Sequence, residues 1–172
     1  ARALFASAAY REVAASIGAG LPLQVGFETD FASFLDRGHG APPDVAIGPE
    51  DAFDVIYSSG TTGVPKGIVH SHAARKASYG GSRASYFDAA SVNLLATPFY
   101  SNTTSVTWFI TTARGGANVI LGKFSPEALL EAVERHRVSH AMLVPVQYER
   151  ILASDPINKT DLDVLRFAHF LA

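Results

Sequence analysis

A chain of 172 residues makes one domain or one large part of a bigger one, and is long enough to bury a hydrophobic core. Apolar residues make up 48% of it and charged residues only 17%, so it either folds as an ordinary compact domain or belongs to something larger that covers its apolar faces. The net charge of −2 offers no basic field to a nucleic-acid backbone, the lack of cysteine excludes disulfides and thiolate metal sites, and no run reaches the roughly 18 apolar residues of a membrane span. Arg2, Arg11 and Glu12 break the first apolar stretch too often for a signal peptide, so the expected location is the cytoplasm.

In chain order, short β-leaning runs alternate with helical periods. ALFAS at 3–7 precedes a helix over 8–18, and LPLQVGF at 21–27 precedes a short helix over 30–37. Residues 38–50 hold three glycines and three prolines and read as a connector. FDVIYSS at 53–59 predicts a buried strand, a Gly-rich loop follows, and GIVHSH at 67–72 predicts another strand. From an N-cap at Ser71 a helix extends towards Tyr86, weakened by Gly80 and Gly81.

SVNLLAT at 91–97 is strand-like, and a helix over VTWFITTA stops at Gly115 and Gly116 before the strand NVIL at 118–121. The clearest helix is SPEALLEAVERHRV at 125–138, with Ser125 as cap, Pro126 at the first position and Glu127 at the positive end of the dipole. Leu129, Leu130 and Val133 share its apolar face, while Glu131, Glu134, Arg135 and Arg137 read as a solvated one. His136 and His140 flank its end, where a cation meets the negative terminus. SHAMLVP, a short helix in VQYERILA and a last apolar run, VLRFAHFLA, complete the chain. The alternation predicts an α/β fold with a largely parallel sheet.

The run YSSGTTGVPKG at 57–67 has the composition of a phosphate cradle. Gly60, Gly63 and Gly67 let backbone N–H groups approach a ligand, Ser58, Ser59, Thr61 and Thr62 bring hydroxyls, and Lys66, one of only four lysines, brings mobile positive charge stiffened by Pro65. It is not a Walker loop. GxxxxGK[ST] counted from Gly60 needs glycine at 65 and a hydroxyl at 67, and the following GIVH is strand-like, so no helix dipole is aimed at the phosphate.

This run resembles the signature loop of the adenylate-forming superfamily, which includes acyl-CoA synthetases, peptide-synthetase adenylation domains and firefly-type luciferases. PEDAFDVIYSSGTTGVPKGIVHSH, KFSPEALLEAVERHRVSHAMLVPVQYERIL and DLDVLRF resemble stretches of acyl-CoA synthetases in the same order. The resemblance implies that residues 1–172 form part of a large N-terminal domain, 1–50 being upstream β-α units and connector and 51–172 the core with the loop. It also implies two-step chemistry with ATP, Mg²⁺ and coenzyme A: a fatty or other hydrophobic acid is adenylated, then transferred to a thiol. Thr61, Thr62 and Lys66 would stabilise the leaving pyrophosphate, with Ser58, Ser59, Gly60, Gly63 and Gly67 shaping the cradle.

ATPFYSNTTSVTW at 96–108 resembles the family's segment leading into the helix that lines the acyl pocket. Many members carry histidine there, whereas this chain has Tyr100, Ser101 and Asn102. Tyr100 or Asn102 can present a polar group to the substrate, or the cluster can simply cap a helix. Trp108 and Phe109 can line an acyl tunnel or serve as core aromatics. His70 and His72 could face one way on a strand and hold a metal, but no carboxylate or cysteine stands near them in sequence, so no protein metal ligand is assigned.

The family's adenine-contacting segment, its ribose-binding acid and its C-terminal domain with the catalytic lysine have no counterpart after Leu165. The 172 residues alone are therefore expected to bind polyphosphate weakly and to form no adenylate. Two alternatives are an adenylation domain loading a carrier-protein thiol, and a non-catalytic truncated nucleotide-binding module.

Overall fold

The computed structural model describes residues 2–38, 40–58 and 63–170. By its internal contacts the chain divides into two compact units, Ala1–Ala46 and Ile47–Ala172. The boundary falls inside the Gly/Pro-rich connector, where rigid or helix-breaking residues let little regular structure form.

In the first unit β1 (Ala3–Ala6) leads through a 3-10 turn to α1 (Arg11–Gly18), and β2 (Leu23–Gly26) leads to α2 (Phe31–Asp36). β1 and β2 pair in parallel, with Ala3 opposite Leu23 and Phe5 opposite Val25. Phe5 gathers Phe27, Phe31 and Phe34 at ring distances of 5.4–6.5 Å, a partly exposed aromatic cluster of edge-on and tilted contacts.

In the second unit, β3 (Ala52–Ser58) and β4 (Lys66–Ser71) form an antiparallel hairpin. Next come α3 (His72–Gly80), β5 (Val92–Leu95), α4 (Asn102–Ala113), β6 (Ala117–Ile120), α5 (Pro126–His136), β7 (His140–Leu143), α6 (Pro145–Leu152) and β8 (Phe167–Phe170). β5 to β8 make a four-stranded, all-parallel sheet in the order β6-β5-β7-β8. All four residues of β7 are buried, as expected of a parallel strand covered on both faces. Leu94 of β5 lies between Val119 and Ala141 on its two neighbours. Together with Leu129, Leu130 and Val133 of α5 it forms the main hydrophobic core.

The expected start of α5 is realised: Ser125 Oγ accepts from the Ala128 amide at 3.1 Å, and Pro126 takes the first turn. Glu131, Glu134, Arg135 and Arg137 are exposed, and the helix ends on Arg137 in the left-handed conformation (φ 49°). α3 is capped by Ser71 and stops at Gly80, and Ser82–Tyr86 is a 3-10 turn instead of further α-helix.

One expectation is refined and two are corrected. The largely parallel character expected from sequence holds for β1, β2 and β5 to β8, and what the structure refines is the β3–β4 hairpin, which forms its own antiparallel ladder. β3 is not a buried strand: Val55 is 49% and Tyr57 68% exposed, because β4 is its one ladder partner and the described residues leave much of the hairpin uncovered. His140 is not a helix-end cation but a fully buried β7 residue, its ring 4.2 Å from Phe87 and its Nδ1 2.7 Å from Ser139 Oγ.

Gly116 turns the chain from α4 into β6 against the backbone. A Cβ there would lie 2.6 Å from the Ser91 carbonyl oxygen and 3.2 Å from that of Asp88, neither of which a side-chain rotation can move aside. Gly116→Ala is therefore expected to destabilise the fold by about 1–3 kcal/mol, an overpacking cost, read as a fall in thermal midpoint of roughly 2–10 °C. An unchanged melting curve would contradict that packing.

Candidate active site

The hairpin register fixes where the strands that flank the loop stand. Ser58 stands opposite Lys66, Tyr57 opposite Gly67, Ile56 opposite Ile68, and Asp54 opposite His70. The Gly-rich run therefore lies between two strands, as expected from sequence, and these strands are antiparallel. Ser59, Gly60, Thr61 and Thr62 lie outside the described residues. Gly63 has φ +77°, a left-handed conformation that favours glycine. Lys66 is exposed at the mouth of the hairpin and makes no ion pair or side-chain hydrogen bond among the described residues, so its ammonium is available to an anion.

Alternation along the strands puts Ser58, Ile56 and Asp54 on one face of β3, and Lys66, Ile68 and His70 on the matching face of β4. At the far end of that face lies a polar cluster that sequence reasoning missed. Arg75 of α3 is only 3% exposed. Its Nε donates to Asp54 Oδ2 at 2.9 Å and its Nη2 lies 2.6 Å from the same oxygen. Its Nη1 donates to Asn102 Oδ1 at 3.0 Å.

His70 Nδ1 sits 2.7 Å from Asp54 Oδ1 and 3.3 Å from Arg75 Nη2. Arginine can only donate, so one nitrogen cannot serve both contacts; the shorter one to a carboxylate makes Nδ1–H the donor to Asp54. The carboxylate absent near His70 in sequence thus comes from the opposite strand. His72, in turn, begins α3 and meets the Phe53 ring edge-on at 5.0 Å, so the two histidines do not converge. Among the described residues no three His, Cys, Asp or Glu side chains gather in a metal-binding cluster. The signal available in sequence was a cation, Arg75, in register with Tyr79 on one face of α3, where an apolar residue would ordinarily pack.

The segment after β5 is held by its own hydroxyls. Ser101 Oγ caps α4 by accepting from the Thr103 amide at 3.2 Å, Thr104 Oγ1 donates to the Pro98 carbonyl at 2.6 Å, and Gln147 Nε2 donates to the Ala96 carbonyl at 2.9 Å. Capping thus accounts for Ser101. Asn102 is different: its Oδ1 accepts from Arg75 and, at 3.1 Å, from Ser105 Oγ. Because Arg75 must donate to the oxygen, the amide orientation is set, and the Nδ2 donors are the free end. Tyr100 is 80% exposed. Trp108 is half-buried in a row of rings, edge-on to Phe99 at 5.1 Å and stacked on Phe109 at 4.5 Å.

Phe109 also meets Tyr79 at 5.0 Å, whose hydroxyl is buried with no hydrogen-bond partner among the described residues. Burial pushes that phenol up to about 12; the Asp54 carboxylate adds to the shift and Arg75 opposes it. A raised folded-state value means the folded chain retains a proton that the unfolded chain releases, so the stabilisation is complete below pH 10 and declines from pH 10 to 12. Burial raises Tyr148 as well, so a phenolate absorbance titration is expected to show late-ionising tyrosines, with the step near pH 12 lost in Tyr79→Phe; a late region unchanged in Tyr79→Phe would contradict the burial of Tyr79.

An exposed lysine thus ends a Gly/Ser/Thr run that joins two antiparallel strands, in a unit that also holds a four-stranded parallel sheet covered by helices. The profile of the AMP-binding enzyme family matches residues 6–172, and the chain belongs to that family. It is 35% identical over 129 residues to 4-coumarate–CoA ligase 3 of Arabidopsis thaliana, covering 72% of this chain and 23% of that protein. It is 32% identical over 160 residues to a feruloyl-CoA synthase of Amycolatopsis sp, covering 91% of this chain and 31% of that protein. Its fold matches the N-terminal domain of FACL13 from Mycobacterium tuberculosis with a TM-score of 0.80 at 21% identity, covering 96% of this chain and 43% of that one. The chain thus spans about a quarter to a third of the length of these curated relatives.

Proposed function

We propose that this chain supplies the phosphate-binding part of an ATP-dependent acid–CoA ligase. The observation that carries the proposal is the hairpin, with Lys66 exposed and unpaired opposite Ser58 in a chain of the AMP-binding enzyme family. A carboxylate oxygen of the acid attacks the α-phosphorus of ATP, the bond from that phosphorus to the bridging oxygen breaks, and pyrophosphate leaves with the electron pair. Coenzyme A thiol then displaces AMP from the acyl carbon. Charge builds on the departing β and γ phosphates, where the Lys66 ammonium, the Thr61 and Thr62 hydroxyls and the backbone of Ser58, Ser59, Gly60, Gly63 and Gly67 stabilise it. Magnesium bound with ATP neutralises further phosphate charge.

The acid is hydrophobic and carries an aromatic ring. Two relatives named for aromatic acids, 4-coumarate and ferulate, are 35% and 32% identical to this chain. Phe99, just before α4, and Trp108 and Phe109, in the second half of the helix, form a continuous aromatic row, and Tyr100 and the Asn102 amide, both exposed, offer polar groups to the substrate. In a thioester assay of the full-length protein, 4-coumarate-type acids are expected to exceed straight-chain fatty acids in kcat/KM by about tenfold, the worth of one to two well-placed pocket contacts. The opposite order would make the acid a fatty one. The 172 residues alone, spanning a minor share of these relatives, are expected to give no adenylate.

A further inference from the structure

We infer that Arg75 is a positioning residue that couples the phosphate-loop hairpin to the acid-side start of α4. The coupling rests on the ligase reading above, in that it joins the two halves of one reaction, but its geometry is independent of the substrate. All three nitrogens of the buried guanidinium are used. Nε and Nη2 hold Asp54 of β3, and Nη1 holds Asn102 in the first turn of α4. The other oxygen of Asp54 takes His70, its cross-strand partner on β4, so one carboxylate ties both strands of the hairpin to the same guanidinium.

This clamp and the mouth of the loop share a face. Asp54 and His70 are each four residues from Ser58 and Lys66 along their strands, about 13 Å at the usual strand rise, with the Ile56–Ile68 pair between them. β3 and β4 have no other ladder partner among the described residues, and much of their surface is exposed. The hairpin meets α4 in two described ways, through this buried fork and through the Phe53 ring edge-on to Phe109 at 5.3 Å, and the fork is the one that engages both strands. The cost of leaving a buried arginine N–H unpaired explains why Asn102, although exposed, is bound into the arrangement: without Oδ1, Nη1 retains only Ser105 Oγ at 3.5 Å.

Two exposed-site variants test this without disturbing the core. Asn102→Ala removes the acceptor; Asn102→Asp keeps it. In the full-length protein, Asn102→Ala is expected to speed hydrogen exchange at the hairpin amides of residues 55–58 and 66–69 by about tenfold and to raise KM for ATP by about five- to tenfold, the size expected for loss of a buried donor's partner. Amides of β7 should exchange at the wild-type rate. Asn102→Asp should restore hairpin exchange to within about twofold of wild type, since its oxygen still receives Nη1, while losing the amide donors and so raising KM for the acid. Arg75→Lys, whose single nitrogen cannot reach both partners, should match Asn102→Ala in hairpin exchange.

Hairpin exchange unchanged in Asn102→Ala would overturn the coupling, as would a failure of Asn102→Asp to restore it. A wild-type protein that activates no carboxylic acid would overturn the ligase reading instead, while the exchange rates would still decide the role of Arg75.

Discussion

Replacing Lys66 with methionine is expected to lower kcat/KM for ATP by about 10²–10³-fold, the usual loss when one preorganised charge-stabilising donor is removed from a transition state. Lys66 is exposed and makes no ion pair or side-chain hydrogen bond among the described residues, so its removal leaves no buried group unpaired and should not change the melting temperature measurably. Lys66→Arg should restore only part of the rate, because a planar guanidinium does not reproduce a compact ammonium at the same reach. Steady-state kinetics at saturating acid and a thermal melt on the same preparation read both halves of this expectation. A variant with full activity would place the phosphate contact elsewhere.

The largest expected effect on stability lies in the parallel sheet. Leu94 is completely buried at the centre of β5, flanked by Val119 and Ala141 in the ladder and packed in the same core as Val133. Leu94→Ala removes buried methyl groups from a site enclosed by strands on both sides, where the surroundings can collapse only in part. The expected loss is about 3–5 kcal/mol, or a thermal midpoint lower by roughly 6–20 °C. Equilibrium unfolding in urea would measure it, and a loss below about 1 kcal/mol would mean that this core is not closely packed.

Local signals carried much of this structure. Ser125 and Pro126 marked the start of α5 within one turn, and Ser71 marked that of α3, because caps act through hydrogen bonds to neighbouring residues. The Gly-rich run was legible for the same reason: its strand-loop-strand character follows from residues that flank it directly.

What remained hidden depends on distance along the chain. Arg75 finds Asp54 21 residues upstream and Asn102 27 residues downstream, pairings that no local pattern encodes. The strand SHAMLVP was read correctly, but the burial of His140 was hidden, because the Tyr86 carbonyl bonded to its Nε2 and the Phe87 ring that stacks on it lie more than fifty residues earlier. The exposure of β3 had a different cause. Its Phe, Val, Ile and Tyr residues carry the pattern of a buried strand, and only the ladder shows that β4 is its single partner among the described residues.

The central claim, that the hairpin belongs to an enzyme that activates acids as adenylates, is tested most directly by isotope exchange. Labelled pyrophosphate is incubated with ATP, magnesium, the full-length protein and a 4-coumarate-type acid, without coenzyme A. Label should enter ATP only when the acid is present, and addition of coenzyme A should then yield AMP and thioester in equal amounts. Exchange independent of any carboxylic acid, or release of ADP and phosphate in place of AMP and pyrophosphate, would contradict it.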